Sequence, residues 1–203
     1  MLHGQTNVGS HTQAGYIVAF CDKSLQDGKV SKWCPAAWRS YRLPRAVSST
    51  LAAEAQALAT ATGTVEWLAL LMSEILDGPT PARQCREMLK KRPPLFVTDC
   101  KSLYDHLVSP SSPTAIEDRR TSIDVIIIRE SAKATQAFVR WVPTAHMLAD
   151  SLTKDAGEPV ELLRVCIQHS EYQIAPESIV LERQAAEKER RKQARQKHQP
   201  SSE

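Results

Sequence analysis

The pattern of apolar and polar positions near the start of the chain predicts an antiparallel hairpin. The run GYIVAF at 15–20 is short, β-branched and aromatic, which is typical of a strand. The pair Asp27-Gly28 is a hairpin turn signal. Residues 30–40 resume as a second strand, and we expect a break or bulge at Pro35 because proline cannot donate a ladder hydrogen bond.

A long helical pattern follows the hairpin at 48–72. Apolar residues such as Leu51 and Leu58 recur there at helical spacing, and the serines and threonine at 48–50 are suited to cap the helix. Gly63 interrupts the pattern, because glycine is a poor helix former. We therefore expect two helices in this region, the second of which ends near residue 76.

Strands and helices are interspersed in the rest of the chain. A buried type of strand is predicted at 95–98 and a further strand at 136–142. Helices are predicted at 101–107, 117–131, 146–154 and 160–168. This order of elements predicts an α/β fold, with a mixed sheet flanked by helices.

Changes in composition divide the chain into four parts. We expect a polar N-terminal remnant at 1–14, a main domain at 15–156, a C-terminal extension at 157–176 and a basic tail at 177–203. Between residues 181 and 198 the tail has seven basic against three acidic side chains and almost no apolar stripe. It is predicted to be either a solvated helix or a disordered segment that contacts polyanions.

Charge and cysteine content narrow the class of protein only slightly. The formal net charge of +3 is too small to indicate nucleic-acid binding by itself. The five scattered cysteines form no CxxC pair, so they indicate neither a zinc site nor a disulfide framework. No apolar run is long enough for a signal peptide or a membrane span. We expect a soluble intracellular protein, without a preference for cytoplasm or nucleus.

Three carboxylates stand at predicted element ends or on an apolar helix face. Glu54 lies on the long helix, three residues after one leucine and four before the next. Asp99 follows the strand at 95–98, at the kind of strand end where ligands gather in α/β sheets. Asp150 lies in the short helix at 146–154. Carboxylates that converge at one sheet edge repel each other unless cations bind, and Mg²⁺ prefers carboxylate and water oxygens.

Each of these acids also has a simpler interpretation. Glu54 can be a solvated residue at the margin of the apolar stripe, Asp99 a cap of the helix at 101–107, and Asp150 a solvent-facing helical acid. The spacing along the chain does not decide between these alternatives and a shared cation site.

Four segments of the chain form a recognisable series. They are QAGYIVAF, SSTLAAEAQAL, LFVTDCKSLYD and VRWVPTAHMLADSLTK, and together they span about residues 12–154. In order and spacing they resemble the ribonuclease H domain of copia-type retrotransposon, retrovirus-related Pol polyproteins. The resemblance implies a ribonuclease H-like fold at 15–156.

The resemblance also implies a metal site with catalytic residues. In the family, acidic residues hold two Mg²⁺ ions, and three of those positions fall here on Glu54, Asp99 and Asp150. In the family, a strand that precedes the segment matched by GYIVAF carries the first catalytic Asp. Here no acidic residue precedes Asp22, so we expect that strand to be absent or reduced to a remnant and its Asp to be lost. We expect an N-terminally truncated fold, from either a truncated gene model or a decayed copy, with reduced metal occupancy.

The function implied is that of a hydrolase, an endonuclease that cleaves RNA in RNA–DNA hybrids with Mg²⁺, impaired here by the missing Asp. Hybrid contacts are expected from Lys101, Arg39, Arg42 and Arg45, and a reverse transcriptase domain is a possible partner. The alternative hypothesis is a catalytically inactive remnant that binds nucleic acid or another partner. A third hypothesis is a pseudogene product without function.

Overall fold

The computed structural model describes residues 12–110 and 116–174. Its strands are β1 (Gln13–Cys21), β2 (Ser31–Arg42), β3 (Leu95–Thr98), β4 (Phe138–Trp141) and β5 (Glu171–Tyr172). Its α-helices are α1 (Thr50–Asp77), α2 (Cys85–Lys91), α3 (Lys101–Val108), α4 (Arg119–Thr135) and α5 (Glu158–His169). Short 3₁₀ helices lie at Lys23–Asp27, Ala82–Gln84, Thr144–His146 and Leu148–Leu152. The predicted tail at 177–203 and most of the predicted remnant at 1–14 lie outside the described residues.

Strands β1 and β2 form the predicted antiparallel hairpin. The connection is a 3₁₀ helix that ends at Gly28, whose φ of 74° is the left-handed conformation that glycine adopts without strain. Val18 pairs with Ala37 but Ala19 pairs with Pro35, so β2 has one extra residue at this point. The predicted irregularity at Pro35 is confirmed as a β-bulge. β5 pairs with the start of β2 and completes a three-stranded antiparallel sheet, the hairpin sheet.

Strands β3 and β4 form a second, parallel pair. Their register runs from Leu95 opposite Phe138 to Thr98 opposite Trp141. Helices α3 and α4 connect the two strands, as a parallel arrangement requires. We call these two strands the parallel pair. Among the described strands, the parallel pair and the hairpin sheet are separate sheets. The fold is therefore mixed α/β, with a small antiparallel sheet and flanking helices, as the element order predicts at this coarser level.

Helix α1 runs without interruption from Thr50 to Asp77, and the predicted break at Gly63 is wrong. Gly63 is exposed, and a methyl group at its Cα would meet no atom within 4 Å. The helix is held on both sides of this residue, since Ala61 and Leu68 are buried. The packing of these turns outweighs the cost of one glycine, which is about 1 kcal/mol.

The later predicted elements are found with changes at their ends. The helices predicted at 101–107, 117–131 and 160–168 are α3, α4 and α5, and β4 is shorter than the strand predicted at 136–142. The helix predicted at 146–154 is instead two 3₁₀ segments. Met147 separates them in an extended conformation, with φ −83° and ψ 100°, so no continuous α-helix forms.

Both sheets lie between the same two layers of helix. On one side, α1 packs on β1 through Ala57 and Ala14, and on β3 through Ala55 and Phe96. On the other side, one apolar cluster contains residues of β1, β3, α5 and the segment at 147–148. Its members there are Ile17, Ala19, Leu95, Val97, Met147, Leu148, Leu162 and Leu163. The molecule thus has three layers, with the two sheets in the middle one.

The C-terminal extension is part of this core. Cys166 of α5, Tyr172 of β5 and Ile174 are buried in one cluster with Trp33 and Val142. No helix in the described ranges is long and apolar enough to cross a membrane.

Candidate functional site

The three predicted acidic residues are positioned by three different elements. Glu54 lies in the second turn of α1, whose start is capped by Ser49, which accepts a hydrogen bond from the Ala52 amide at 3.1 Å. Asp99 directly follows β3, and Asp150 lies in the 3₁₀ helix at 148–152. Each acid is therefore held by local structure that its neighbouring sequence encodes.

Glu54 and Asp150 line the same small cavity, which has a volume of about 40 Å³. The start of β1, residues 13–15, and Met147 also line this cavity. The approach between β1 and the 3₁₀ helix depends on Gly15. A Cβ at this position would lie 3.0 Å from Leu152 Cβ and 3.1 Å from the Ala149 carbonyl oxygen, closer than side chains normally pack.

The electrostatic environment of Glu54 is strongly perturbed. The pKa of this carboxyl is raised from 4.5 to about 7, mainly by burial and also by the negative charges of Asp99 and Asp150, while the charge of Lys154 opposes the shift. Charges on all three acids thus interact with one another. The interpretation of Glu54 as a solvated residue at the helix margin does not fit this environment.

Asp150 is also partly withdrawn from water, with a side chain that is 17% exposed. Burial raises its pKa, the hydrogen bond from Lys154 lowers it, and the charge of Asp99 raises it again. Lys154 forms a close ion pair with the Asp150 carboxylate from one helical turn away along the chain. Sequence reasoning missed Lys154 as a site residue, although its spacing of four from Asp150 is the available signal.

Asp99 is oriented by the last residue of β4 and by the segment that follows this strand. The Thr144 hydroxyl donates to Asp99 Oδ2 at 2.7 Å, and Trp141 Nε1 donates to the Asp99 carbonyl oxygen at 2.9 Å. The N-cap of α3 is Cys100, and no side chain caps this helix. The interpretation of Asp99 as a helix cap is therefore not what its contacts indicate. Neither Thr144 nor Trp141 carries a sequence signal, because their approach depends on the pairing of β3 with β4.

We call Glu54, Asp99 and Asp150 the acidic edge. Their carboxylate oxygens are of the type that Mg²⁺ prefers as ligands, but the three side chains do not form a complete metal site. In the described part of the chain, no group of three or more His, Cys, Asp or Glu side chains is close enough to hold one metal ion. One acid, Asp150, is already neutralised by an ammonium group. Metal binding therefore stays a prediction.

The four predicted hybrid-binding residues do not share one surface. Arg39 lies over the Tyr41 ring at 4.6 Å, while Arg42, three residues on in β2, points to the opposite face of the hairpin. Arg45 is engaged in an ion pair with the buried Asp124. Lys101 bonds Asp105 at 2.8 Å and lies over an aromatic ring of its own helix. Only Lys101 is close in sequence to an acid of the acidic edge.

Comparison of the chain with protein-family models, with characterised proteins and with solved structures gives no match.

Proposed function

We propose that this chain is a ribonuclease H-like domain of the kind found in retrotransposon Pol polyproteins, acting on RNA–DNA hybrids with Mg²⁺, with an activity that is impaired relative to the intact family. One observation supports this most. Three carboxylates from a helix, a strand end and a 3₁₀ helix interact electrostatically at one edge of the fold. That edge is where the parallel strand β3 ends, as in α/β proteins that bind ligands at strand ends.

The chain's own residues prepare this edge for a cation. Thr144 and Trp141 orient Asp99, and the repulsion among the acids is relieved when positive charge arrives. Glu54, whose pKa is about 7, is ready to ionise near neutral pH. When bound, Mg²⁺ supplies Lewis-acid activation of water and stabilises charge on the phosphodiester.

The proposed impairment rests on the described residues, among which only Asp99 and Asp150 are acids that act on Glu54. Among Gln13–Cys21 no residue is acidic, and Asp22 lies beyond the far end of β1 from the cavity. Its side chain accepts a hydrogen bond from the Lys32 amide at 3.3 Å, within the hairpin connection. Asp22 therefore does not supply a fourth acid to the acidic edge.

A second candidate function is binding of nucleic acid without cleavage. Two observations favour it. Lys154 already neutralises Asp150, and the described residues contain no group of three metal-ligating side chains. In that case the acidic edge is a structural remnant, and the affinity for polyanions comes from basic residues elsewhere.

The test is cleavage of an RNA–DNA hybrid by the purified chain in Mg²⁺ or Mn²⁺. The variants Glu54→Gln, Asp99→Asn and Asp150→Asn should each reduce the cleavage rate at least about 100-fold. Glu74→Gln changes an exposed carboxylate of the same helix and should leave the rate unchanged. No cleavage by the wild-type chain, together with hybrid binding that is equal or tighter in Glu54→Gln, would favour the second candidate.

A further inference from the structure

Helix α4 exposes an apolar face to solvent. Ile123, Ile126 and Ile127 are 55%, 44% and 46% exposed. The buried part of the helix contains Val125 and Ile128, which pack against α1, together with several polar side chains. These are Thr121, Ser122, Asp124, Ser131 and Thr135. A surface helix normally turns its apolar side chains inward and its polar ones outward, so three neighbouring exposed isoleucines indicate a surface that another molecule covers.

A charged side chain lies at each end of this apolar face, and the two charges have opposite signs. Arg119 is the first residue of α4, Glu130 follows the isoleucines, and both side chains are exposed. Positions 119, 123, 126 and 130 are spaced by four, three and four residues, so they form one seam along the helix. We call Arg119, Ile123, Ile126 and Glu130 the α4 seam. Its order along the helix is basic, apolar, apolar and acidic.

This order of charges favours an antiparallel pair with an identical seam. In a parallel pair, Arg119 would face Arg119 and Glu130 would face Glu130, and like charges repel. In an antiparallel, two-fold symmetric pair, Arg119 of each copy faces Glu130 of the other, and Ile123 faces Ile126. Alignment of Ile126 with Ile126 would instead bring Arg119 opposite Lys133. The charges therefore select both the direction and the register of the pair.

We propose that the α4 seam binds the same seam of a second copy of this chain, as an antiparallel and two-fold symmetric helix pair. Two layers of Ile123 against Ile126 lie in its centre, and an ion pair between Arg119 and Glu130 lies at each end. Ile127 is also exposed and adds apolar area beside the seam. The seam covers about three helical turns, which is less than a standard interface, so we expect a weak dimer. This inference depends on neither cleavage nor metal binding.

The first test is the mass of the full chain in solution as a function of concentration. We expect sedimentation velocity to show a reversible dimer at roughly 10–200 µM protein and a monomer on further dilution. Two-fold symmetry closes the assembly at two copies, so no larger species should form. A chain that stays monomeric up to about 500 µM would overturn the proposal.

A pair of isoleucine variants locates the interface. Ile126→Lys places a charge in the centre of the α4 seam and should weaken the dimer at least about tenfold. The matched control is Ile167→Lys in α5, which changes a side chain that is 56% exposed and lies outside the seam. It should dimerise like the wild type. Lysine is a better helix former than isoleucine, so neither change should unfold its helix. Equal weakening by both variants would contradict the assigned interface.

Charge exchange tests the antiparallel register. Arg119→Glu and Glu130→Arg each convert both ion pairs into pairs of like charge, so each variant by itself should dimerise about tenfold more weakly at low salt. An equimolar mixture of the two variants restores opposite charges at both ends and should dimerise like the wild type. If both variants are folded by circular dichroism and their mixture shows no recovery, the proposed register is wrong. If either variant is unfolded, the isoleucine variants still decide whether the seam is the interface.

Cross-linking of the full chain identifies what lies on the seam. In an Arg119→Lys variant, a carbodiimide should join position 119 to Glu130 by an amide bond. These positions are about 16 Å apart along one helix, so a link without a spacer forms only between two copies. Mass spectrometry of a mixture of isotopically light and heavy protein should show that the linked peptides come from different copies. A link from Glu130 to residues 177–203 in its place would make that tail the occupant and overturn the proposal.

Discussion

The hairpin sheet and the parallel pair differ in the length of their strands and in how far apart along the sequence the paired strands lie. Strands β1 and β2 have nine and twelve residues, are joined by a short connection and pair with their neighbour in sequence. Strands β3 and β4 have four residues each and are separated by two helices. The hairpin sheet is therefore specified mainly by local signals, whereas the parallel pair depends on burial between helical layers.

This difference shows where the stability of the candidate site comes from. Asp99 stands at the end of the parallel pair, and its orientation requires Trp141 and Thr144, which follow or end β4. Loss of packing around β3 should therefore disturb the acidic edge as well as the fold. Loss of packing in the hairpin should disturb it less.

The largest expected effect is a difference in stability between two variants, each of which replaces one phenylalanine in one of the two sheets. Phe96 of β3 is 4% exposed, and Phe20 of β1 is 43% exposed. Phe96→Ala should lower the free energy of unfolding by about 3–5 kcal/mol, because it leaves a cavity between β3, α1 and α4. Phe20→Ala should cost less than about 1 kcal/mol. Denaturant unfolding measures both, and equal losses would contradict the proposed difference between the sheets.

The next effect concerns Glu54 of α1, which lines the cavity at the start of β1. Its pKa is about 7 in the folded protein against 4.5 for the free side chain, so the folded state binds an extra proton between these values. The free energy of unfolding should therefore fall as the pH rises from about 4.5 to 7. Glu54→Gln cannot ionise, so at pH 8 it should be more stable than the wild type by up to about 3 kcal/mol.

Urea unfolding at a series of pH values measures this prediction. Glu74→Gln, an exposed change on the same helix, is the control and should retain the wild-type dependence between pH 4.5 and 7. A Glu54→Gln protein with the same pH dependence as the wild type would show that this carboxyl is not perturbed.

A smaller effect compares two glycines. Gly15 of β1 leaves no room for a Cβ, so Gly15→Ala should destabilise the protein by about 1–3 kcal/mol through its contact with Leu152 and Ala149. Gly63 of α1 has free space around it, so Gly63→Ala should stabilise by about 0.5–1 kcal/mol. Thermal unfolding of the two variants should shift in opposite directions. If the unfolding temperatures of both variants shift in the same direction, β1 and the 3₁₀ helix at 148–152 do not pack tightly at Gly15.

The smallest expected effect concerns the support of Asp99. Thr144→Val removes the hydroxyl that donates to Asp99 Oδ2 and should cost about 1 kcal/mol of unfolding free energy. Thr153→Val removes a hydroxyl that bonds only a backbone carbonyl of its own turn and serves as the comparison. If hybrid cleavage is detected, Thr144→Val should reduce it more than Thr153→Val does.

Local signals in the sequence predicted much of the fold and the acids of the candidate site. The bulge at Pro35 and the capped start of α1 follow from chemistry within a few residues of each position. The predicted break at Gly63 failed because packing on both sides of this residue outweighs glycine's weak helix propensity. The helix predicted at 146–154 failed because the backbone at Met147 is extended.

By itself, the sequence determined most of the strands and helices and the places of Glu54, Asp99 and Asp150 along them, because these depend on residues close together in the chain. Only the tertiary structure decided that Lys154 neutralises Asp150, that Thr144 holds Asp99 and that Arg45 is engaged with Asp124. It also decided that the described strands form two separate sheets. The physical reason is that burial and Coulomb interactions depend on distances between elements far apart in sequence, and no local pattern encodes those distances.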